Sequence, residues 1–268
     1  MANEVSGKNG GVYSSTLLIE DCEDEWTNDN ATSCAADATD KKVGTASVKV
    51  VIPGALGANI LLAHEGGIGL ATLVGYDMVY LWIKSSIIAA LNDNQLLLDD
   101  TAACDSPIET LHLPALAANT WTQVALMLAD PSLLTAIDAV GLKQIAALGA
   151  RNVWLDDIRA LAEEDGIKSW TITYETDALD LTSFVHAGVS SFLPGISRWS
   201  GSFEGYKTGV PLGIGSEVYL VLGETSTGSR CWIGKAIITN AVPTTDHNGV
   251  VSYSYSFQGT GALEEPST

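Results

Sequence analysis

Apolar and polar side chains alternate along two segments in the second half of the chain, 170–174 and 199–203. The alternation puts three residues of each segment on one face: Trp170, Ile172 and Tyr174 in the first, and Trp199, Gly201 and Phe203 in the second. A period of two over this length predicts two half-buried strands of an antiparallel sheet. The segment between them, 180–194, has Asp180 as a candidate N-cap, a mixed apolar stripe and Pro194 as a stop, which predicts one short helix.

Most of the remaining chain has similar short apolar runs, separated by turn residues. Further strands are predicted at 17–21, 43–52, 59–63, 76–84, 87–99, 109–113, 120–129, 153–161, 217–222, 230–239 and 250–258. Turns at roughly 8–12-residue spacing are typical of a sandwich or jelly roll, so the predicted fold class is all-β. A stretch that ends at Gly141, 133–141, predicts one or two helical turns.

The composition allows one large or two modest domains, because 268 residues with 46% hydrophobic content can fill complete cores. The longest apolar run, 69–90, is interrupted by Asp77 and Lys84 and falls short of the ~20 apolar residues of a membrane span. Met1-Ala-Asn-Glu has neither a basic nor an apolar region, so no secretory signal peptide is expected.

The formal charge of −19 is concentrated in one part of the chain. Residues 17–165 contain 22 acidic and 7 basic side chains, and the rest contains 10 acidic and 6 basic ones. The first group therefore has a charge of −15 and the second −4. Such acidity disfavours binding to nucleic acid.

The residues that usually perform chemistry form no catalytic pattern. Cys22 and Cys34 could pair across an acidic loop in an oxidising exterior, or all four cysteines could be ordinary buried thiols. The histidines are isolated, and neither a nucleophile elbow nor a phosphate-binding glycine loop occurs. Among 32 acidic residues no pair is singled out for glycoside hydrolysis, so no enzyme is predicted.

Five motifs resemble, in their order, the galactose-binding-like jelly roll of many carbohydrate-binding modules. They are LLIEDCEDEW, GTASVKVVI, YDMVYLWIKSS, LPALAANTWTQVALML and VWLDDIRAL. The resemblance implies a jelly-roll domain at 17–165. It also implies a structural calcium ion at the strand-end acids Glu20, Asp21, Asp156 and Asp157, which otherwise are solvated carboxylates. Trp26 and Trp82 are candidates for a sugar-stacking platform, with core or rim positions as the alternative.

The C-terminal part resembles the major tail tube proteins of lambda-like long-tailed phages. The resemblance is carried by WTITYETDALDLTSF, FLPGISRWSGSFEGY, CWIGKAIITNA and VVSYSYSFQGTGAL, which cover about 166–263. It implies a tail-tube β-sandwich or barrel domain made of 166–268 and the N-terminal arm 1–16, with the jelly roll inserted between them. The assembly residues implied by these motifs are Trp170, Phe184, Trp199, Phe203 and Phe257.

The combined resemblances predict a virion structural protein of a phage tail. Its subunits are expected to form stacked hexameric rings, to contact other tail proteins and to pass genomic DNA through the lumen without specific binding. The jelly roll is expected outside the tube, where it would collide with a contractile sheath, so the predicted tail is non-contractile. The protein would be made in the host cytoplasm. The alternatives are a carbohydrate-binding adhesion protein that attaches to a host-surface glycan, and a capsid decoration or minor tail protein.

Overall fold

The computed structural model describes residues 11–70, 72–182, 189–206, 211–224, 231–245 and 249–266. Sixteen strands are described in chain order: β1 Val12–Glu20, β2 Thr27–Asn28, β3 Ser33–Asp37, β4 Ser47–Ile52, β5 Ile60–Leu70, β6 Met78–Ser85, β7 Asn94–Asp99, β8 Glu109–His112, β9 Trp121–Met127, β10 Ile137–Gln144, β11 Arg151–Glu163, β12 Ile167–Asp180, β13 Phe192–Gly205, β14 Glu217–Gly223, β15 Cys231–Thr244 and β16 Ser252–Gly259. A 3-10 turn, Pro131–Leu133, joins β9 to β10. This architecture confirms the all-β prediction.

Two sheets account for all of these strands. The smaller has the order β2-β5-β10-β7-β8, and the larger has the order β12-β13-β16-β15-β14-β1-β11-β4-β3, with β6 pairing β11 and β9. One large core cluster lies between the small sheet and the β4, β6 and β11 part of the large one. Every second side chain of those strands enters it, as the pleat of a strand requires.

The predicted helix at 133–141 is wrong. Residues 137–144 form β10, which pairs with both β5 and β7 in the middle of the small sheet. The segment is apolar on both faces, since Ala139, Val140 and Leu142 are all buried. A short apolar run of this kind fits a fully buried strand as well as a helix, and here the pairing partners decide.

β1 connects the two halves of the molecule. It runs without a break across the predicted boundary at residues 16 and 17. Val12 and Tyr13 pair with β14, and residues 13–20 pair with β11. Val12 also belongs to the core of the C-terminal strands. The first described residues are therefore part of the C-terminal core, and the strand then enters the jelly roll.

A separate apolar cluster lies where the jelly roll meets the C-terminal strands. Tyr80 and Trp82 of β6 and Leu161 of β11 pack there with Val221 and Ile233 of β14 and β15. β6 is consequently buried on both faces. In the part of the chain that the structure describes, no helix is long and apolar enough to cross a membrane.

Candidate assembly surface

The β12–β13 hairpin contains the two strands that the alternation predicts. Trp170 pairs with Phe203, Ile172 with Gly201 and Tyr174 with Trp199. Residues that face each other in an antiparallel pair lie on the same face of the sheet, so the two predicted apolar faces combine into one. This face covers the core of the C-terminal strands.

Trp199 is the centre of that core, and glycines on the neighbouring strands make room for it. A Cβ atom on Gly259 would overlap the indole ring, and one on Gly234 would lie 2.6 Å from Trp199 Cζ2. The indole Nε1 donates to the Gly261 carbonyl at 2.9 Å. The glycines in the motifs around residues 234 and 259 are therefore explained by the space that the Trp199 ring needs.

Three predicted assembly residues are core residues of a single chain. Trp199, Phe203 and Phe257 are buried, and their rings contact one another. They cannot touch a neighbouring subunit directly, so their prediction as assembly contacts is corrected here. Trp170 is half-buried and donates from Nε1 to the Gly223 carbonyl at 3.2 Å. Phe184 lies outside the described residues.

The outer half of the hairpin projects beyond the sheet. β13 pairs with β16 only over 200–205, whereas its pairing with β12 continues to Phe192 opposite Asp180. We call residues 174–180 and 192–198 the ribbon. Seven residues of strand correspond to roughly 20 Å. Residues 192–194 at the end of the predicted helix segment 180–194 are thus part of β13. The middle of that segment, 183–188, lies outside the described residues.

The ribbon is apolar and exposed. Ile196 is 77% exposed and Phe192 58% exposed, and Tyr174, Leu179 and Leu193 are also largely in solvent. β12 is the last strand of its sheet, so among the described strands nothing pairs with its other edge. An isolated two-stranded ribbon is at best marginally stable in water, and an open apolar edge promotes pairing with another chain. The surface therefore has the properties of an interface.

Polar pairs fix the ribbon without covering it. Arg198 contacts Glu175 at 2.8 Å and Asp177 at 3.0 Å across the two strands, and Thr176 Oγ1 lies 2.7 Å from Ser197 Oγ. The Arg198 pairs are exposed and contribute little stability by themselves. They fix the pairing of β12 with β13 and leave the apolar side chains of the ribbon exposed to solvent.

Calcium binding at the four predicted ligands stays a prediction, and Asp156 Oδ1 and Asp157 Oδ2 are buried without a hydrogen-bond partner among the described residues. Asp156 Oδ2 accepts from the backbone amides of Lys42 and Val43 at 2.6 and 3.0 Å, and Asp157 pairs with Arg159 at 2.6 Å. Glu20 and Asp21 accept from nearby backbone amides. Among the described residues, no three acidic, histidine or cysteine side chains form a group that could hold a metal ion.

These acids surround the buried Cys22 thiol. Burial, and then the charges of Glu20, Asp156 and Asp157, raise the pKa of Cys22 well above its usual range. Burial also raises the pKa of Asp156 to about 6 and that of Glu20 to about 7. The cluster thus favours neutral groups. Cys22 and Cys34 are both free and buried, as are Cys104 and Cys231.

The two predicted sugar-stacking residues offer no free ring face. Trp26 is 1% exposed in the main core, and Trp82 is 5% exposed in the cluster between the jelly roll and the C-terminal strands. Lys42 Nζ lies 4.3 Å from the centre of the Trp82 ring. Stacking requires an accessible ring, so the prediction of a platform from these two residues is corrected.

Part of the outer face of the small sheet is covered as well. Cys104, in the loop after β7, packs with Leu97 and Ala139. A Cβ atom on Gly141 would lie 2.6 Å from Cys104 Sγ. Asp99 anchors this loop by accepting from the amides of Thr101 and Ser106 at 3.1 and 2.9 Å. The loop thus covers this part of the sheet.

No known protein-family model and no curated protein matches the sequence. Among solved structures, the chain is similar to one from the tail of an empty gene transfer agent particle with C6 symmetry, at 21% identity, 40% of this chain, 87% of that chain and a TM-score of 0.32. A chain of the native gene transfer agent virion is 20% identical, with 40% of this chain and 89% of that chain covered and a TM-score of 0.32. The family 11 carbohydrate-binding module of a Clostridium thermocellum cellulase is 10% identical, with 56% of this chain and 94% of that chain covered and a TM-score of 0.36. TM-scores this low do not establish a shared fold, and no function follows from them.

Proposed function

We propose that this chain is a structural protein of a phage virion, the subunit of a tail tube built from stacked, hexameric rings. The observation that carries the proposal is the ribbon, which projects from the sheet with exposed apolar side chains and an open edge. That the assembly is a tube of stacked rings is inferred from the sequence resemblance of 166–263 to tail tube proteins. The occupant of the ribbon surface is a second copy of this chain.

The position of the jelly roll is compatible with ring formation. In the order of the large sheet, β12 lies at one end, and the jelly-roll strands β11, β4 and β3 lie at the other. The open edge is therefore separated from the jelly roll by the five strands β13, β16, β15, β14 and β1. Neighbouring subunits can cover the β12 edge while the jelly roll stays outside the tube, which fits a non-contractile tail.

Contacts with DNA in the lumen are proposed to be weak. The β12 half of the ribbon contains Glu175, Asp177 and Asp180, and Arg198 is the one cation in the described residues of the ribbon and is already paired with Glu175 and Asp177. Phosphate contacts with free cations are what retain nucleic acid on a protein surface. Those acidic side chains that are not covered by the neighbouring copy and face the lumen would let DNA pass without specific binding. The proposal assigns no catalytic residue.

Sedimentation velocity of the purified full chain tests the proposal. Wild type is expected to form species far larger than a monomer. The Ile196→Asp variant places a charge in the apolar ribbon and is expected to lose them. Leu133→Asp, which changes a 66% exposed residue of the jelly roll outside the ribbon, is the matched control and should behave as wild type. A monomeric wild type, or equal assembly by Ile196→Asp, would contradict the proposal.

A further inference from the structure

Four loops lie together at the end of the jelly roll that is farthest from the C-terminal strands. They are 53–59, 86–93, 113–120 and 145–150, which follow β4, β6, β8 and β10. Strand registers place them at one end, because Ile52 pairs with Arg151, Ser85 with Val153, and Gln144 with both Ile60 and Asn94. We call these four loops the cap.

The cap is almost free of charge in an otherwise acidic molecule. Of its 29 residues only Asp93 is ionisable, ten are alanine, and none is aromatic or basic. Asp93 Oδ2 accepts from the Ala90 amide at 2.6 Å, so this carboxylate serves the local turn. The chain as a whole has 17% charged residues and a charge of −19. The cap is therefore a distinct surface.

Backbone hydrogen bonds tie the cap loops to one another and to the strands. Ala89 and Leu116 exchange two hydrogen bonds at 3.1 and 2.9 Å, and the Asn92 amide donates to the Leu113 carbonyl at 3.0 Å. Gln144 donates from its side chain to the Gly57 carbonyl. The side chains of Ala89 and Leu116 are buried beneath the surface. The cap is thus a formed surface that needs little ordering on binding.

Large apolar side chains of the cap point into solvent. Ile88 is 74% exposed and Leu91 66% exposed, and small alanine side chains surround them at 90, 115, 117 and 118. An exposed apolar patch of this kind marks an interaction site more often than chance. Its chemistry limits what can bind there.

We propose that the cap docks against a second copy of this chain. Two molecules with a charge of −19 repel each other wherever acidic surfaces meet, and the repulsion acts over about 8–10 Å at moderate salt. The uncharged cap is a surface on which two copies can meet without juxtaposing like charges. Flat alanine-rich loops around two larger apolar side chains suit such a self-contact.

Other ligand classes fit the cap poorly. Membrane-surface contacts rely on tryptophan, tyrosine, lysine and arginine, and sugars are bound through aromatic rings and polar side chains. The cap sequence contains no aromatic or basic residue. A basic protein would bind the acidic flanks of the jelly roll in preference to its neutral end.

This contact does not depend on the tube, and the experiment separates the two. Sedimentation equilibrium is measured on the full chain in the Ile196→Asp background, where assembly through the ribbon is absent. This protein is expected to dimerise, and the dimer is expected to strengthen with added NaCl because salt screens the repulsion between acidic chains. An interface held by ion pairs would weaken instead.

A matched pair of variants in the same background identifies the surface. Leu91→Asp is expected to raise the dimer dissociation constant about tenfold or more, because it juxtaposes like charges in the contact. Leu133→Asp makes the same change at an equally exposed leucine at the opposite end of the jelly roll, and it should leave the constant unchanged. Circular dichroism of both variants checks folding.

Three results would overturn the proposal. The first is a monomer at all concentrations in the Ile196→Asp background, and the second is a dimer that Leu91→Asp and Leu133→Asp weaken equally. The third is co-flotation of the protein with anionic phosphatidylglycerol vesicles that Leu91→Asp abolishes, which would assign the cap to a lipid surface.

Discussion

At the scale of single residues, the packing of the C-terminal core depends on the space around the Trp199 ring. Gly201, Gly234 and Gly259 lie where any side chain would meet Trp199 or Phe257. These glycines lie in the motifs that resemble those of tail tube proteins. Their positions could be predicted from the sequence, but their common purpose could not, because they come from three strands.

Gly259→Ala is expected to destabilise the protein by about 1–3 kcal/mol, since its Cβ would be forced into the Trp199 indole. Urea denaturation followed by tryptophan fluorescence measures the change. Gly261→Ala is the control, because a Cβ there meets nothing within 4 Å. Equal stability of the two variants would show that Trp199 is not tightly enclosed.

The buried acids around Cys22 predict a pH dependence of stability. Burial raises the pKa of Asp156 to about 6, whereas an aspartate in the unfolded chain titrates near 3.9. Between these values the folded state binds more protons than the unfolded state. The contribution of Asp156 to the free energy of unfolding therefore falls as pH rises from about 4 through about 6 and then levels off.

Asp156→Asn should reduce this loss of stability with pH, because the amide stays neutral in both states. Thermal unfolding at pH 5 and pH 8 gives the comparison, and Asp100→Asn, at an exposed site, controls for the change in net charge. An unchanged pH dependence in Asp156→Asn would contradict the role of this carboxyl.

At the scale of elements, most strands could be predicted, including β6 and β7, which are buried on both faces, but β10 could not. The period of two in 170–174 and 199–203 predicts both strands and the apolar face of each, and the structure shows that these two strands pair. β10 is apolar on both faces, and its residues 137–141 fall in the segment 133–141 for which helical turns are predicted. Trp82 illustrates a related limit, because alternation shows that it faces one side of β6 but not that another domain covers that side.

The ribbon is expected to be the least protected part of β12 and β13 in the unassembled protein. Hydrogen–deuterium exchange of Ile196→Asp should show fast exchange at 174–180 and 192–198 and slow exchange at 200–205, which pair on both sides. In assembled wild type the ribbon should become protected. Slow exchange of the ribbon in the unassembled variant would mean that it is already covered within one chain.

At the scale of the whole molecule, the jelly roll and the C-terminal strands share one strand and one packed cluster. β1 belongs to both halves, and the cluster of Tyr80, Trp82, Leu161, Val221 and Ile233 fills the junction. The sequence resemblances indicated two domains. They could not reveal this junction, because its side chains are contributed by strands of both.

The two halves are consequently expected to unfold together. Differential scanning calorimetry of the Ile196→Asp protein should give a single transition. Leu161→Ala, which removes a fully buried side chain from the junction, should lower the stability of the whole by about 2–5 kcal/mol. Two well-separated transitions in the parent protein would show that the halves are independent.

Electron microscopy of the purified wild-type chain at high concentration tests the central claim most directly. The account predicts hollow tubes of stacked rings with sixfold symmetry, in which the ribbons form contacts between subunits and the jelly rolls lie outside. Particles that remain single chains, or assemblies in which the ribbon stays exposed to solvent, would contradict it.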